Sequence, residues 1–162
     1  MVAMSMMFVM SLMSLLFVVP QRLRGAAMAP DLLDRITRAT NAHDLDALVD
    51  CFDPEYRNET PAHPARGFTG REQVRRNWQQ IFAGVPDVQV SVLGRAVDGD
   101  TLWSELEMSG TRRDATPLLV RGVVVYRLRG ERAAAARFYM EPVDAGSSDA
   151  TAAVHAVVDP RP

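Results

Sequence analysis

The chain contains no lysine, so all 18 of its positive charges are arginine. Against 20 acids they leave a formal charge of −2, a balance that excludes a nucleic-acid binder living on backbone charge. A single cysteine rules out an internal disulfide framework and any thiolate-rich metal site. The three histidines, His43, His63 and His155, form no pair at metal spacing and read as solvated side chains. No glycine-rich phosphate loop and no Gly-x-Ser-x-Gly elbow is present. No metal and no organic cofactor is therefore implied.

The 162 residues, 48% of them apolar, provide for one domain with a genuine core. Two ends stand apart from it. Residues 1–19 carry no charge, hold six of the nine methionines and stop at Pro20, with Arg22 and Arg24 following. Two readings of residues 1–27 stay open: a membrane anchor that leaves the domain on the cytoplasmic face, or a mis-assigned start with translation beginning at Met28. The expected location of the domain is cytoplasmic under both. Residues 144–162 are rich in Ala, Ser, Gly, Asp and Pro and are expected to be a disordered tail. Residues 28–143 remain for the fold.

Within them, Leu32, Leu33, Ile36 and Ala39 recur at helical spacing behind Pro30 and Asp31. Asp44 can cap a second helix burying Leu45, Leu48, Val49 and Phe52, with Cys51 beside that stripe as a buried structural thiol. A short strand is expected at Tyr56–Glu59, then a proline-rich loop. Thr69 and Glu72 form a capping box for a third helix carrying Val74, Trp78, Ile81 and Phe82. After Asp87 the apolar period changes from helical to alternating, and Asp98-Gly99, Arg113-Asp114 and Gly130 mark turns between strands. Three helices before a meander define an α+β fold, helices covering one face of the sheet.

This order, with Asp44-Leu45-Asp46-Ala47-Leu48, Phe68-Thr69-Gly70-Arg71-Glu72 and Phe138-Tyr139, resembles the nuclear transport factor 2-like superfamily. Its members include SnoaL-like polyketide cyclases, ketosteroid isomerases and limonene-epoxide hydrolase. The resemblance implies a cone-shaped domain, three N-terminal helices on a curved, mainly antiparallel sheet of four to six strands, around a hydrophobic pocket. It places Tyr56-Arg57-Asn58 where the epoxide hydrolase holds its water, Glu105 and Glu107 where that enzyme has arginine and aspartate, and Phe138 at its aspartate base. From ketosteroid isomerase it places Glu59 near the proton-shuttling carboxylate, and Ile36 and Val124 at the oxyanion-binding positions.

Alternation about Arg113-Asp114 and Gly130 groups Glu105, Glu107, Val120, Gly122, Val124 and Phe138 on one face. If that face lines the cone, two carboxylates share an apolar pocket. A slip of a single residue turns them outward, toward Arg121 and Arg137 as an ion network. The opposite face, with Leu106, Met108, Arg121, Val123, Arg137, Tyr139 and Glu141, suits a homodimer interface. The expected activity is cofactor-independent general acid–base chemistry on a small hydrophobic molecule by a hydrolase, isomerase or cyclase. Glu107 would be the acid, Glu105 or Glu59 the base, and Tyr56 and Asn58 would orient water or substrate, in a pocket of Ile36, Trp78, Phe82, Val120, Gly122, Val124 and Phe138. The alternative is a non-catalytic small-molecule-binding or dimerisation module of the same fold.

Overall fold

A computed structural model of the chain describes residues 32–144, 146 and 149–158; residues 1–31, with the apolar start and Pro30-Asp31, lie outside the described residues. Leu32, Leu33, Ile36, Ala39 and Thr40 align along one side of α1 (residues 32–41), and all five are buried. A turn follows in which His43 takes a φ of 54°. Its Nε2 lies 3.2 Å from the Val88 carbonyl oxygen and its ring meets Phe82 edge-on at 4.9 Å. His43 is thus a packing contact between layers and not the solvated side chain expected. Asp44 caps α2 (Leu45–Asp50), its Oδ1 accepting from the Ala47 N–H at 2.9 Å.

The first strand, β1 (Phe52–Glu59), is longer than the expected one and takes in Phe52, which leaves the helix. The expected capping box does not form. Thr69 pairs with Arg57 as part of β2 (Phe68–Thr69), and Gly70, at a φ of 93°, leads into α3 (Arg71–Gly84) with no side-chain cap. Strands β3 (Gln89–Asp98), β4 (Thr101–Thr111), β5 (Pro117–Arg129) and β6 (Arg132–Pro142) complete one six-stranded sheet, ordered β2-β1-β6-β5-β4-β3. Its pairs are antiparallel except β1 and β6, which run parallel.

Helices and sheet share one core, in which Leu33, Leu48 and Val74 join Leu102, Leu106, Tyr126 and Ala136. Asn41 stitches the layers together. Its Oδ1 accepts from the Val90 N–H at 2.7 Å and its Nδ2 donates to the Val90 carbonyl at 3.0 Å, so an amide side chain pairs with edge strand β3 as a neighbouring strand would. Gly122, at a φ of 152°, marks a close approach of β5 to β6. A Cβ there would lie 2.1 Å from the Tyr139 carbonyl oxygen.

The β4–β5 register departs from the one expected. Thr111 pairs with Pro117, so the loop holds residues 112–116, centred on Asp114 alone. Ala115 takes a φ of 66°, and Asp114 Oδ1 accepts from the Thr116 N–H at 3.0 Å. An odd-membered loop moves the pairing by one residue: Glu107 faces Arg121 and Glu105 faces Val123. Every β4 side chain is thereby turned over. Between β5 and β6 two such deviations cancel. The turn lies at residues 130–131, and a bulge between Arg127 and Leu128 adds a second offset, so Val124 faces Phe138 and both keep the expected side.

The segment expected to be a disordered tail contains α4 (Ala150–Val158), whose side chains are all exposed. No helix among the described residues is long and apolar enough to cross a membrane.

Candidate functional site

The concave side of the sheet and helices α1 and α3 enclose a cavity of about 360 Å³, within the range of small-molecule pockets. Its floor is buried: Ile36, Phe52, Val74, Val90, Leu106 and Tyr126 are apolar or aromatic there. Trp78, Met108, Val120, Phe138 and Met140, all half-buried, form much of the mouth.

Polar groups enter this wall at few places. Alternation along β1 sends Tyr56 and Asn58 inward together. The Tyr56 hydroxyl donates to Asn58 Oδ1 at 3.3 Å, and Asn58 Nδ2 points to Thr60 Oγ1 at 3.5 Å. Burial pushes the Tyr56 phenol well above its ordinary range, so it stays a neutral donor. On α1, Thr40 is fully buried and its Oγ1 has no hydrogen-bond partner. At the mouth stand Asn77, whose Oδ1 accepts from Gln73, and the exposed Arg66 on the 3₁₀ turn Pro64–Arg66. No Asp, Glu or His lines the cavity among the described residues.

Of the residues expected at the site, the cavity brings together Tyr56, Asn58, Ile36, Trp78, Val120 and Phe138. Val124 and Gly122 share their side of the sheet without reaching the cavity; Val124 is fully buried in the core, and its carbonyl accepts from Ser104. Phe82 lies a turn beyond Trp78, tilted against it and meeting His43 edge-on. The three glutamates are elsewhere. Glu105 and Glu107 point to the outer face because of the one-residue register difference, and Glu107 is bonded to Arg121. Glu59 follows Asn58 on a strand and so must face the other way, where it pairs with Arg57 at 2.9 Å.

Thr40, Arg66, Asn77, Tyr126 and Met140 line the cavity without having been expected there. Thr40 follows Ile36 at the helical repeat, and Tyr126 and Met140 keep step with Val124 and Phe138, so the signal for these three was periodicity. Arg66 and Asn77 carried none.

Helices packed over a curved, mainly antiparallel sheet with a cavity between them define an α+β cone. The profile of the SnoaL-like domain matches residues 33–136, and the chain belongs to that family. Among curated protein sequences no match is found. Solved structures share the fold. A Catenulispora acidiphila protein with a ketosteroid isomerase-like fold, in complex with trimethylamine, is 23% identical, with a TM-score of 0.61 over 68% of this chain and 86% of its own. IdmH of Streptomyces antibioticus, a candidate polyketide cyclase, is 20% identical, with a TM-score of 0.61 over 70% and 91%. A Mycobacterium tuberculosis protein in complex with estradiol-17beta-hemisuccinate is 19% identical, with a TM-score of 0.60 over 68% and 92%.

Proposed function

We propose that this SnoaL-like domain binds a small, mainly apolar molecule in its cavity, with an oxygen of the ligand hydrogen-bonded at the Tyr56–Asn58 pair. The observation that carries the reading is the composition of the wall: apolar side chains throughout, broken by neutral hydrogen-bonding groups and one arginine. Burial of the ligand body supplies the affinity and the few polar groups supply orientation. The estradiol derivative bound by the Mycobacterium tuberculosis neighbour supports a ligand of this general kind.

Binding without turnover is preferred over acid–base catalysis. Proton transfer at a carbon or an epoxide needs a base within hydrogen-bond reach of the ligand, and the described cavity residues offer no carboxylate or imidazole. Asn58 Nδ2 can present a donor to a carbonyl oxygen, which polarises it but removes no proton.

The test is a fluorescence titration with naphthol as probe, comparing the full chain with Val120→Trp and Met108→Trp, each of which fills the mouth. Saturable binding that both substitutions abolish, at unchanged thermal midpoint, supports the reading. Absence of naphthol binding to the wild-type chain, or binding indifferent to both substitutions, overturns it.

The outer face of the sheet is proposed to pair with a second copy of the chain. Trp103 and Tyr139 remain 46% and 43% exposed there, among Glu105, Glu107, Arg121 and Arg137, a mixture of signs that a two-fold axis can make self-complementary. Sedimentation velocity on the wild type and Trp103→Arg decides this: a dimer that the substitution splits is expected, and a wild-type monomer across the micromolar range refutes the pairing.

A further inference from the structure

We infer that helix α4 packs its apolar stripe against the cavity mouth of its own chain and acts there as the lid of the binding site; the role of lid rests on the ligand-binding reading above, and the contact itself does not.

The helix is built to pack, and in the structure it stands uncovered. Asp149 caps it, its Oδ1 accepting from the Ala152 N–H at 2.9 Å. Ala150, Ala153, Val154, Val157 and Val158 then fall along one side at spacings of three and four residues. The three valines are 60%, 80% and 69% exposed. Nine residues are too few for a helix to persist in water on propensity alone, so its stability has to come from burying that side against another surface. The stripe holds no hydrogen-bonding or charged side chain, and any polar group it covered would be left without a partner.

Two regions of the domain leave large apolar side chains uncovered. On the outer face, Trp103 and Tyr139 stand among Glu105, Glu107, Arg121 and Arg137. An aliphatic helix laid there would take charges out of water with nothing to offer them. At the cavity mouth the half-buried side chains are Trp78, Met108, Val120, Phe138 and Met140, an apolar rim of the same chemistry as the stripe.

The chain also delivers α4 to that rim. Pro142 at the end of β6 pairs with Val120, itself part of the mouth, and the Val143 N–H donates to the Leu119 carbonyl at 2.9 Å. Six residues, 144–149, separate this last bond from α4, and extended they reach about 20 Å. The helix itself is about 13 Å long. So short a tether holds α4 at high effective concentration beside its own mouth, which favours that occupant over the mouth of a second copy. Laid across the opening, the stripe adds apolar wall where the cavity meets water, and the ligand leaves only when the helix lifts.

Oxidative cross-linking of the full chain tests the contact, with Cys51 kept because it is buried. Met108 and Glu107 are neighbours on β4 that point to opposite sides of the sheet, and Val154 and Ala152 lie on opposite sides of α4. Met108→Cys with Val154→Cys is expected to close a disulfide within one chain about fivefold faster than Glu107→Cys with Val154→Cys or Met108→Cys with Ala152→Cys. Val120→Cys replaces Met108→Cys as the mouth position if the latter fails to fold. Equal rates for all three pairs, or a disulfide formed between chains, overturn the contact. The lid is tested by stopped-flow release of naphthol: Val154→Asp with Val157→Asp should speed release about fivefold at unchanged thermal midpoint. Unchanged release beside a selective cross-link overturns the lid and leaves the contact. A wild-type chain that binds no naphthol overturns the ligand-binding reading, and with it the lid, while the cross-links still decide where α4 packs.

Discussion

Glu107 and Arg121 face each other across β4 and β5 on the outer side of the sheet, with Arg121 Nε 2.6 Å from Glu107 Oε2. The pair is structural. Glu107→Gln is expected to leave probe binding in the cavity unchanged and to lower stability by about 0.5 kcal/mol, the scale of a solvent-screened ion pair. A titration alongside a urea melt checks both, and a tenfold loss of affinity would return this carboxylate to the binding site.

Tyr56→Phe removes the hydroxyl that donates to Asn58 while keeping the ring against Phe52 and Phe68. Stability should fall by about 1 kcal/mol and affinity for an oxygen-bearing probe severalfold, with affinity for naphthalene itself unaltered. Calorimetric titration with the two probes separates these effects.

Burial raises the phenols of both Tyr56 and Tyr126 above the ordinary value of 10.0. The folded chain therefore holds those protons more tightly than the unfolded one. Their contribution is constant below pH 10 and is lost as pH rises beyond it, because only the unfolded state ionises there. Denaturant midpoints should be flat from pH 8 to about 10 and fall above, and Tyr126→Phe should lessen the alkaline slope.

At the acid end the relevant group is Asp87, whose Oδ1 accepts from the Thr111 N–H at 2.6 Å. That backbone bond holds its carboxyl below the ordinary value of 3.8. The stabilisation is present above the ordinary value and is lost as pH falls through the lowered one. Asp87→Asn should melt earlier than wild type at pH 6 and converge with it in strong acid, which a set of thermal melts against pH can read.

Gly122→Ala should be costly, because the new Cβ would lie 2.1 Å from the Tyr139 carbonyl and 2.8 Å from Met140 Cα, both backbone. A loss of about 3 kcal/mol is expected, from overpacking together with an unfavourable φ. Gly99→Ala, at a turn with nothing nearby, isolates the φ contribution alone and should cost less.

Much of this architecture could be read from residue patterns, and the failures are specific. The stripe on α1, the Asp44 cap and the turns at Gly99 and Gly130 all carry their usual residue types. The β4–β5 loop does not: its left-handed position is occupied by Ala115, whose Cβ disfavours that conformation, so nothing in the sequence announced a five-residue loop. That one residue of offset moved two glutamates from the pocket to the outer face. Of the site, Tyr56 and Asn58 were legible from strand alternation. Arg66 and Asn77 were not, because their place at the mouth depends on where a loop and a helix end up in space.

The parallel pairing of β1 with β6 has a consequence for how the binding site comes into being. Tyr56 and Asn58 sit on the strand made early in synthesis, yet Asn58 is paired with Ala136 and Glu59 with Arg137, nearly eighty positions later. Contacts of such long sequence separation close late. A nascent chain stalled after β5 would hold Tyr56 and Asn58 on a strand paired with β2 alone, its other edge uncovered until residues 132–142 are made. The stretch of cavity wall that β1 and β6 share is thereby completed only once residues 132–142 have joined the sheet.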